Sequence, residues 1–333
     1  MLRKIFPFLL VGTGVFLILV YFTSLFSISE LVYPDRITSV SVLENEKEKT
    51  DIRKDTLSLN DLMMDPAQLG LSYVDFNVTV DSNFRLKGWY VKQQDAVTAK
   101  TILLLHDLNE SKISLLQSAN VLYQLGFNIC LVDLPAHGES DGDKFLINEV
   151  SAGYISTVLD SLYCLLETNR VAIYATGISG FLAVKCLVND RRADVLVLQN
   201  PPNTFNKLLR QRVKEKWGVF AAWVYPLAKL KYKKSAEIEP DSLNLSEWVK
   251  RLKKPVLIAL TDSVTDDQAK DALHVFENIE SGKSKIWTSQ SRSFITNDVD
   301  VENNMYRAVA AFINTNATDK TRKVKSKKRI AKI

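Results

Sequence analysis

The apolar positions of this chain fall into three regimes. The first is "MLRKIFPFLLVGTGVFLILVYFTSLFSISE", where Arg3 and Lys4 precede an almost uncharged apolar run over residues 5–28. A helix rises about 1.5 Å per residue, so such a run crosses the roughly 30 Å of a bilayer's hydrocarbon. It exceeds the roughly 7–15 apolar residues of a cleavable signal segment, so a transmembrane signal anchor over residues 1–30 is expected. The second regime, residues 31–64, is polar, charged and nearly free of aromatics, which predicts a juxtamembrane linker. The third begins near Asp65. There "YVDFNVTV" and "FRLKGWYV" alternate apolar with polar positions on either side of "DSN", predicting a β-hairpin.

From Thr101 the pattern changes. The short apolar runs "TILLL", "FNICLV", "RVAIYA", "DVLVLQ", "PVLIAL" and "SKIWT" recur with helix-length stretches between them. Continuous apolar strands alternating with helices predict a mostly parallel sheet covered on both faces. Helices are expected over 114–124, ending at Gly126, over 178–189, and over 301–314, where Met305, Val309, Phe312 and Ile313 share one stripe. An insert over 200–254 contains "WGVFAAWVYPLAKLKYKK", which reads as helices packed on the sheet, as a lid, or as an amphipathic segment facing a membrane. The fold class is therefore α/β, with one domain over 65–315 and a tail over 316–333.

Composition adds little to this: 333 residues at 46% hydrophobic and 24% charged are enough for one large core. The net charge of +5 is uneven, because the last fourteen residues, "KTRKVKSKKRIAKI", hold eight Lys or Arg and no acid, leaving the remainder net acidic. Such a tail is a solvated end or is drawn to anionic lipid; with no aromatic interleaved to stack bases, nucleic acid is not favoured. The positive flank of the apolar run is its N-terminal side, which predicts a single-pass protein with an extracytoplasmic or lumenal body. Four NxS/T matches, at Asn77, Asn109, Asn244 and Asn316, are compatible with that compartment. Cys130, Cys164 and Cys186 each lie in an apolar run and read as buried packing residues.

Three stretches carry a family resemblance. "LGLSYVDFNVTVDSNFRLKGWYV" resembles the entry hairpin of membrane-anchored esterase-like and acyl-peptidase-like α/β-hydrolases. "LLLHDLNES" is similar to their strand ending in HG, and "CLVDLPAHGESDG" is similar to their DxRGHGxSxG stretch. The resemblance spans roughly 65–314 and implies an α/β-hydrolase fold with a nucleophile, an acid and a histidine on successive loops.

Set against that pattern, "YATGISGFLA" supplies the strand, turn and helix of the nucleophile elbow, where small residues flank the tip two positions either side. Ala175 and Ser179 are then the flanking positions and Gly177 the tip, which leaves no nucleophile. The competing register makes Ser179 the nucleophile. The resemblance places the acid at Val264, with Asp262 and Asp266 two positions away, and the base in the histidine-free loop "KIWTSQSRSFITND", at Arg292 or a neighbouring serine. The chain has three histidines, His106, His137 and His274, and the last lies in an expected helix. In the oxyanion region Asp107 follows His106 where the family has glycine, so a carboxylate opposes the charge stabilisation that donors there supply. His106, Asp107, Leu108 and Ile178 are the candidate pocket residues. No metal motif, phosphate loop or dinucleotide fingerprint is present, and no metal or cofactor is expected. The acidic run Asp262, Asp266, Asp267 and Asp271 reads as a helix N-terminus. The expectation is a membrane-anchored α/β-hydrolase-like protein that has lost the triad and works by binding a ligand or protein partner. The alternative is an active serine hydrolase with displaced residues.

Overall fold

The structure, a computed structural model, describes residues 14, 15, 18, 21, 29–38, 64–81, 83–94, 99–165, 170–261, 264–288 and 298–317. The expected anchor lies almost wholly outside them, as do Asp262, Arg292 and the basic run 320–333. Among the described residues no helix is long and apolar enough to cross a membrane.

Among the described residues ten short strands follow one another: β1 Tyr73–Asp75, β2 Val78–Asp81, β3 Phe84–Leu86, β4 Gly88–Val91, β5 Thr101–Leu105, β6 Asn128–Val132, β7 Val171–Thr176, β8 Val195–Gln199, β9 Val256–Leu260 and β10 Lys285–Thr288. Eight of them form one sheet in the order β1-β4-β6-β5-β7-β8-β9-β10. β4 is antiparallel to both neighbours, and every pairing from β6 to β10 is parallel. The expected hairpin exists but divides. Its outer half, β1 with β4, joins the sheet, while β2 and β3 pair separately. Gly88 sits at the parting: a Cβ there would lie 2.3 Å from the Leu131 carbonyl oxygen on β6.

The helices are α1 Leu116–Gln124, α2 Glu149–Leu165, α3 Ser179–Asn189, α4 Phe205–Trp217, α5 Ala221–Ala236, α6 Leu245–Val249, α7 Asp266–Glu277 and α8 Asp298–Asn316. Alternate residues of each central strand enter different cores, as the period of two requires. Leu103, Leu105, Ile173, Ala175, Leu196 and Leu198 pack with Ile155, Leu159, Phe181 and Leu182 of α2 and α3. Ile102, Leu104, Ala172, Tyr174, Val195 and Val197 pack with Leu116, Leu122, Met305, Val309 and Ile313 of α1 and α8. This two-sided burial is why the strands read as unbroken apolar runs.

Two expectations need correction. Cys164 is exposed, whereas Cys130 and Cys186 are buried. The run around Cys164 is helical rather than extended, so Leu162 takes the inward position and Cys164 turns outward. The start of the expected linker is also not free of the domain. Ser29–Val32 form one helical turn whose Leu31 and Val32 are buried in the core, and the Phe145 N–H donates to the Val32 carbonyl at 2.8 Å. The Arg36 guanidinium donates to the carbonyls of Ser140 at 2.7 Å and Gly138 at 3.2 Å, and to that of Gly142. A backbone-directed clasp of this kind leaves no periodicity in the sequence.

Candidate functional site

The loops at the carboxyl ends of the parallel strands hold the residues in question. After β6 the stretch "AHGESDG" closes on Asp133, which is fully buried. Its carboxylate accepts from the Lys112 N–H at 2.7 Å, the Glu139 N–H at 3.0 Å and the Lys112 ammonium at 2.6 Å. Gly138, at φ 48°, is required because a Cβ there would lie 2.3 Å from an Asp133 oxygen. The Ser140 hydroxyl donates to the Asp133 carbonyl at 2.6 Å and accepts from the Lys87 N–H at 2.9 Å. The motif thus ties a loop together.

β5 and β7 are parallel neighbours, with Leu105 opposite Ala175, so two residues further on Asp107 and Gly177 emerge side by side. Gly177 is the turn between β7 and α3, at φ 53°, with its N–H donating to the Gln199 carbonyl at 2.9 Å. A Cβ on Gly177 would lie 2.0 Å from an Asp107 carboxylate oxygen, so the Asp107 carboxyl group stands where a side chain at the tip would begin. Its Oδ1 accepts from the Ile178 N–H at 2.7 Å and the Leu108 N–H at 2.8 Å. Those donors are the residue after the tip and a residue of the loop after β5, the pair that forms an oxyanion hole in an acyl-transfer elbow. Here an internal carboxylate already occupies it. Sequence reasoning paired Asp107 with the oxyanion region but missed that it also fills the tip; only the strand register could have revealed this.

Ser179, the competing nucleophile, is fully buried, and its hydroxyl donates toward the carbonyls of Thr176 at 2.8 Å and Leu105 at 3.1 Å. It caps the strand ends from within and does not reach the turn tip. A small hollow of about 110 Å³ opens beside Asp107, Leu108, Gly177 and Ile178, and α4 and α7 close it with Lys207, Arg212, Gln268 and Asp271. Lys207 and Asp271 pair across it at 2.8 Å. Val264 is not among the lining residues; its side chain packs against the core. Asp266 and Asp267 lie in the first turn of α7, behind a Thr265–Gln268 capping box. Among the described residues no group of three or more His, Cys, Asp or Glu is placed to hold a metal.

All three histidines are accounted for. His106 Nδ1 donates to the Asp107 carbonyl at 2.8 Å and Nε2 accepts from the Leu134 N–H at 3.0 Å. His137 Nδ1 donates to the Pro135 carbonyl at 2.9 Å and Nε2 accepts from the Asn109 N–H at 3.3 Å. His274 is exposed on α7, 3.9 Å from Glu277. Burial lowers His106 to about 4, and burial together with the neighbouring His106 lowers His137 to about 3, so both rings are neutral and structural.

Asp107 moves the other way: burial raises it to about 6, against the pull of the Ile178 and Leu108 N–H groups. A raised carboxyl contributes stability that is complete below its ordinary value and lost as pH rises through about 6. The lowered histidines oppose it, with stability present above about 6.5 and lost as pH falls from there toward 4 and 3. Asp107→Asn keeps an oxygen for the two N–H donors but removes the titration. In urea unfolding, wild type should therefore gain on the variant by on the order of 1–2 kcal/mol between about pH 7.5 and about pH 5. A constant difference across that range would refute the raised carboxyl.

A strand order of β1-β4-β6-β5-β7-β8-β9-β10 with β4 reversed, helices on both faces and an elbow after β7 defines the α/β-hydrolase fold. Solved structures agree. An esterase from Pyrococcus furiosus aligns with 17% identity and a TM-score of 0.58, over 76% of this chain and 95% of that one. A Penicillium α/β-hydrolase aligns with 14% identity and a TM-score of 0.53, over 74% and 99%. A dienelactone hydrolase from Anabaena variabilis aligns with 13% identity and a TM-score of 0.51, over 74% and 99%. No protein-family profile and no curated protein sequence matches this chain. At these identities the likeness concerns the fold.

Proposed function

We propose that this chain is a membrane-anchored, catalytically inactive relative of the α/β-hydrolases that acts by binding a small ligand or a protein partner. The observation that carries this reading is the Asp107 carboxyl group, which stands over Gly177 and accepts from the Ile178 and Leu108 N–H groups. An acyl substrate would find the oxyanion donors already taken by a carboxylate and no hydroxyl at the tip. A serine needs an adjacent base to become a useful nucleophile, and each buried histidine has both ring nitrogens engaged by backbone. The apolar run 5–28 supplies the single-pass anchor, with the body on the extracytoplasmic or lumenal side, and the run 320–333 is offered to anionic lipid.

Treatment of the full chain with a serine-reactive fluorophosphonate probe should give no labelling, and Ser179→Ala should leave that unchanged. Labelling of wild type that disappears in Ser179→Ala would establish an active serine hydrolase with displaced residues.

A further inference from the structure

Helix α5 is apolar on two opposite sides. Val224, Ala228, Tyr232 and Ala236 are buried against the domain, with the Tyr232 ring 4.4 Å from that of Phe205. On the other side Trp223 and Leu230, seven residues and so about two turns apart, face outward with 61% and 63% of their surface exposed. The 3-10 turn that enters the helix, Gly218–Phe220, adds Phe220 at 54% and Val219 at 87%. Large apolar side chains exposed on a helix that also carries Lys229, Lys231, Lys233 and Lys234 mark an interaction surface.

Two further observations name the cover. The stretch 216–236, bounded by Glu215 and Glu237, contains no acidic residue, and exposed lysines stand at both ends of the apolar stripe: Lys214 and Lys216 before the turn, Lys234 and Lys233, the latter paired with Glu239, after it. Apolar side chains set among lysines, with half-buried Lys229 and Lys231 on either side of Leu230, are the make-up of a segment lying in the boundary between headgroups and acyl chains. The helical turn Ser29–Val32, which directly follows the apolar run 5–28, packs on α5 itself. The run expected to enter a membrane therefore leaves the domain at the helix that carries the stripe.

We propose that the outer side of α5 and its entry turn are a second membrane contact, with Val219, Phe220, Trp223 and Leu230 in the interface of a bilayer and the flanking lysines on anionic headgroups. The proposal takes its orientation from the anchor reading above, but the surface is tested separately.

The test uses the full chain with Cys164→Ser, leaving the two buried cysteines, and one exposed reporter cysteine at Val219 or, as a control on edge strand β1, at Val74. Each protein is labelled with an environment-sensitive dye and reconstituted into vesicles of phosphatidylcholine with a minority of phosphatidylserine. Quenching by lipids carrying a nitroxide on the acyl chain should be at least about threefold stronger for the Val219 label than for the Val74 label. The change Phe220→Asp should reduce it toward the control. Equal quenching at both positions overturns the proposal. So does energy transfer between labelled copies without lipid quenching, which would assign the stripe to a second copy of the chain. Flotation with the vesicles in alkaline carbonate reports the anchor independently. Protein that floats while the Val219 label stays open to aqueous quencher keeps the anchor and sinks the surface; quenching without carbonate-resistant flotation keeps the surface and sinks the anchor.

Discussion

Replacing Gly177 by serine is expected to destabilise the protein by on the order of 3–5 kcal/mol without creating an esterase. Two costs combine. A residue with a Cβ is held at φ 53°, and that Cβ lands 2.0 Å from the Asp107 carboxylate. The carboxylate would have to leave the Ile178 and Leu108 N–H groups, so the strain cannot be relieved by rotating one flexible side chain end. The double change Gly177→Ser with Asp107→Gly removes the clash and empties the oxyanion donors. It should recover a large part of the loss, giving a coupling of on the order of 1–3 kcal/mol in a double-mutant cycle. Urea unfolding and hydrolysis of p-nitrophenyl acetate decide the matter. Additive stability losses would show that the two positions do not share one space. Efficient hydrolysis by either variant would mean that a working base lies within reach of the tip.

The second large effect is expected away from that hollow. The Lys112 ammonium is 2% exposed and meets the fully buried Asp133 at 2.6 Å, with Glu139, half exposed, on its other side at 2.7 Å. The same ammonium lies 4.6 Å from the centre of the Trp89 ring. Lys112→Met leaves Asp133 as a buried charge without its cation, held only by two backbone N–H groups, and should cost about 3–5 kcal/mol. Glu139→Gln touches the solvent-facing half of the cluster and should cost about 1 kcal/mol or less. The comparison is made by urea denaturation of the full chain in mild detergent. A Lys112→Met protein within about 1 kcal/mol of wild type would mean that the Asp133 cluster is not what fixes the loops after β5 and β6.

Much of this molecule was legible in its residues. The six apolar runs from Thr101 onward became β5 to β10; β5 to β9 are buried on both faces and so need no polar alternation, while β10, at the sheet edge, is only partly buried. The stripe of Met305, Val309, Phe312 and Ile313 marked the inner side of α8, and small residues two positions either side of Gly177 marked the tip of the turn. These are local patterns, set by the periods of helix and strand and by crowding at one bend.

What the sequence by itself could not contain was the partner of each such residue. Asp107 lies 70 positions before Gly177, and their meeting depends on β5 pairing with β7 in one particular register. Nothing local to Lys112 marks its burial, which depends on β6 bringing Asp133 beneath it. Cys164 reads as core until the helix it occupies is rotated against α3, and residues 31–38 read as linker until the loops after β6 supply carbonyls for Arg36. The two apolar sides of α5 were both written in "WGVFAAWVYPLAKLKYKK", but packing alone decided which side the core would take and which would be left for another surface. Local conformation follows from steric preferences within a few residues, whereas burial and charge pairing are set by chain segments that only folding brings together.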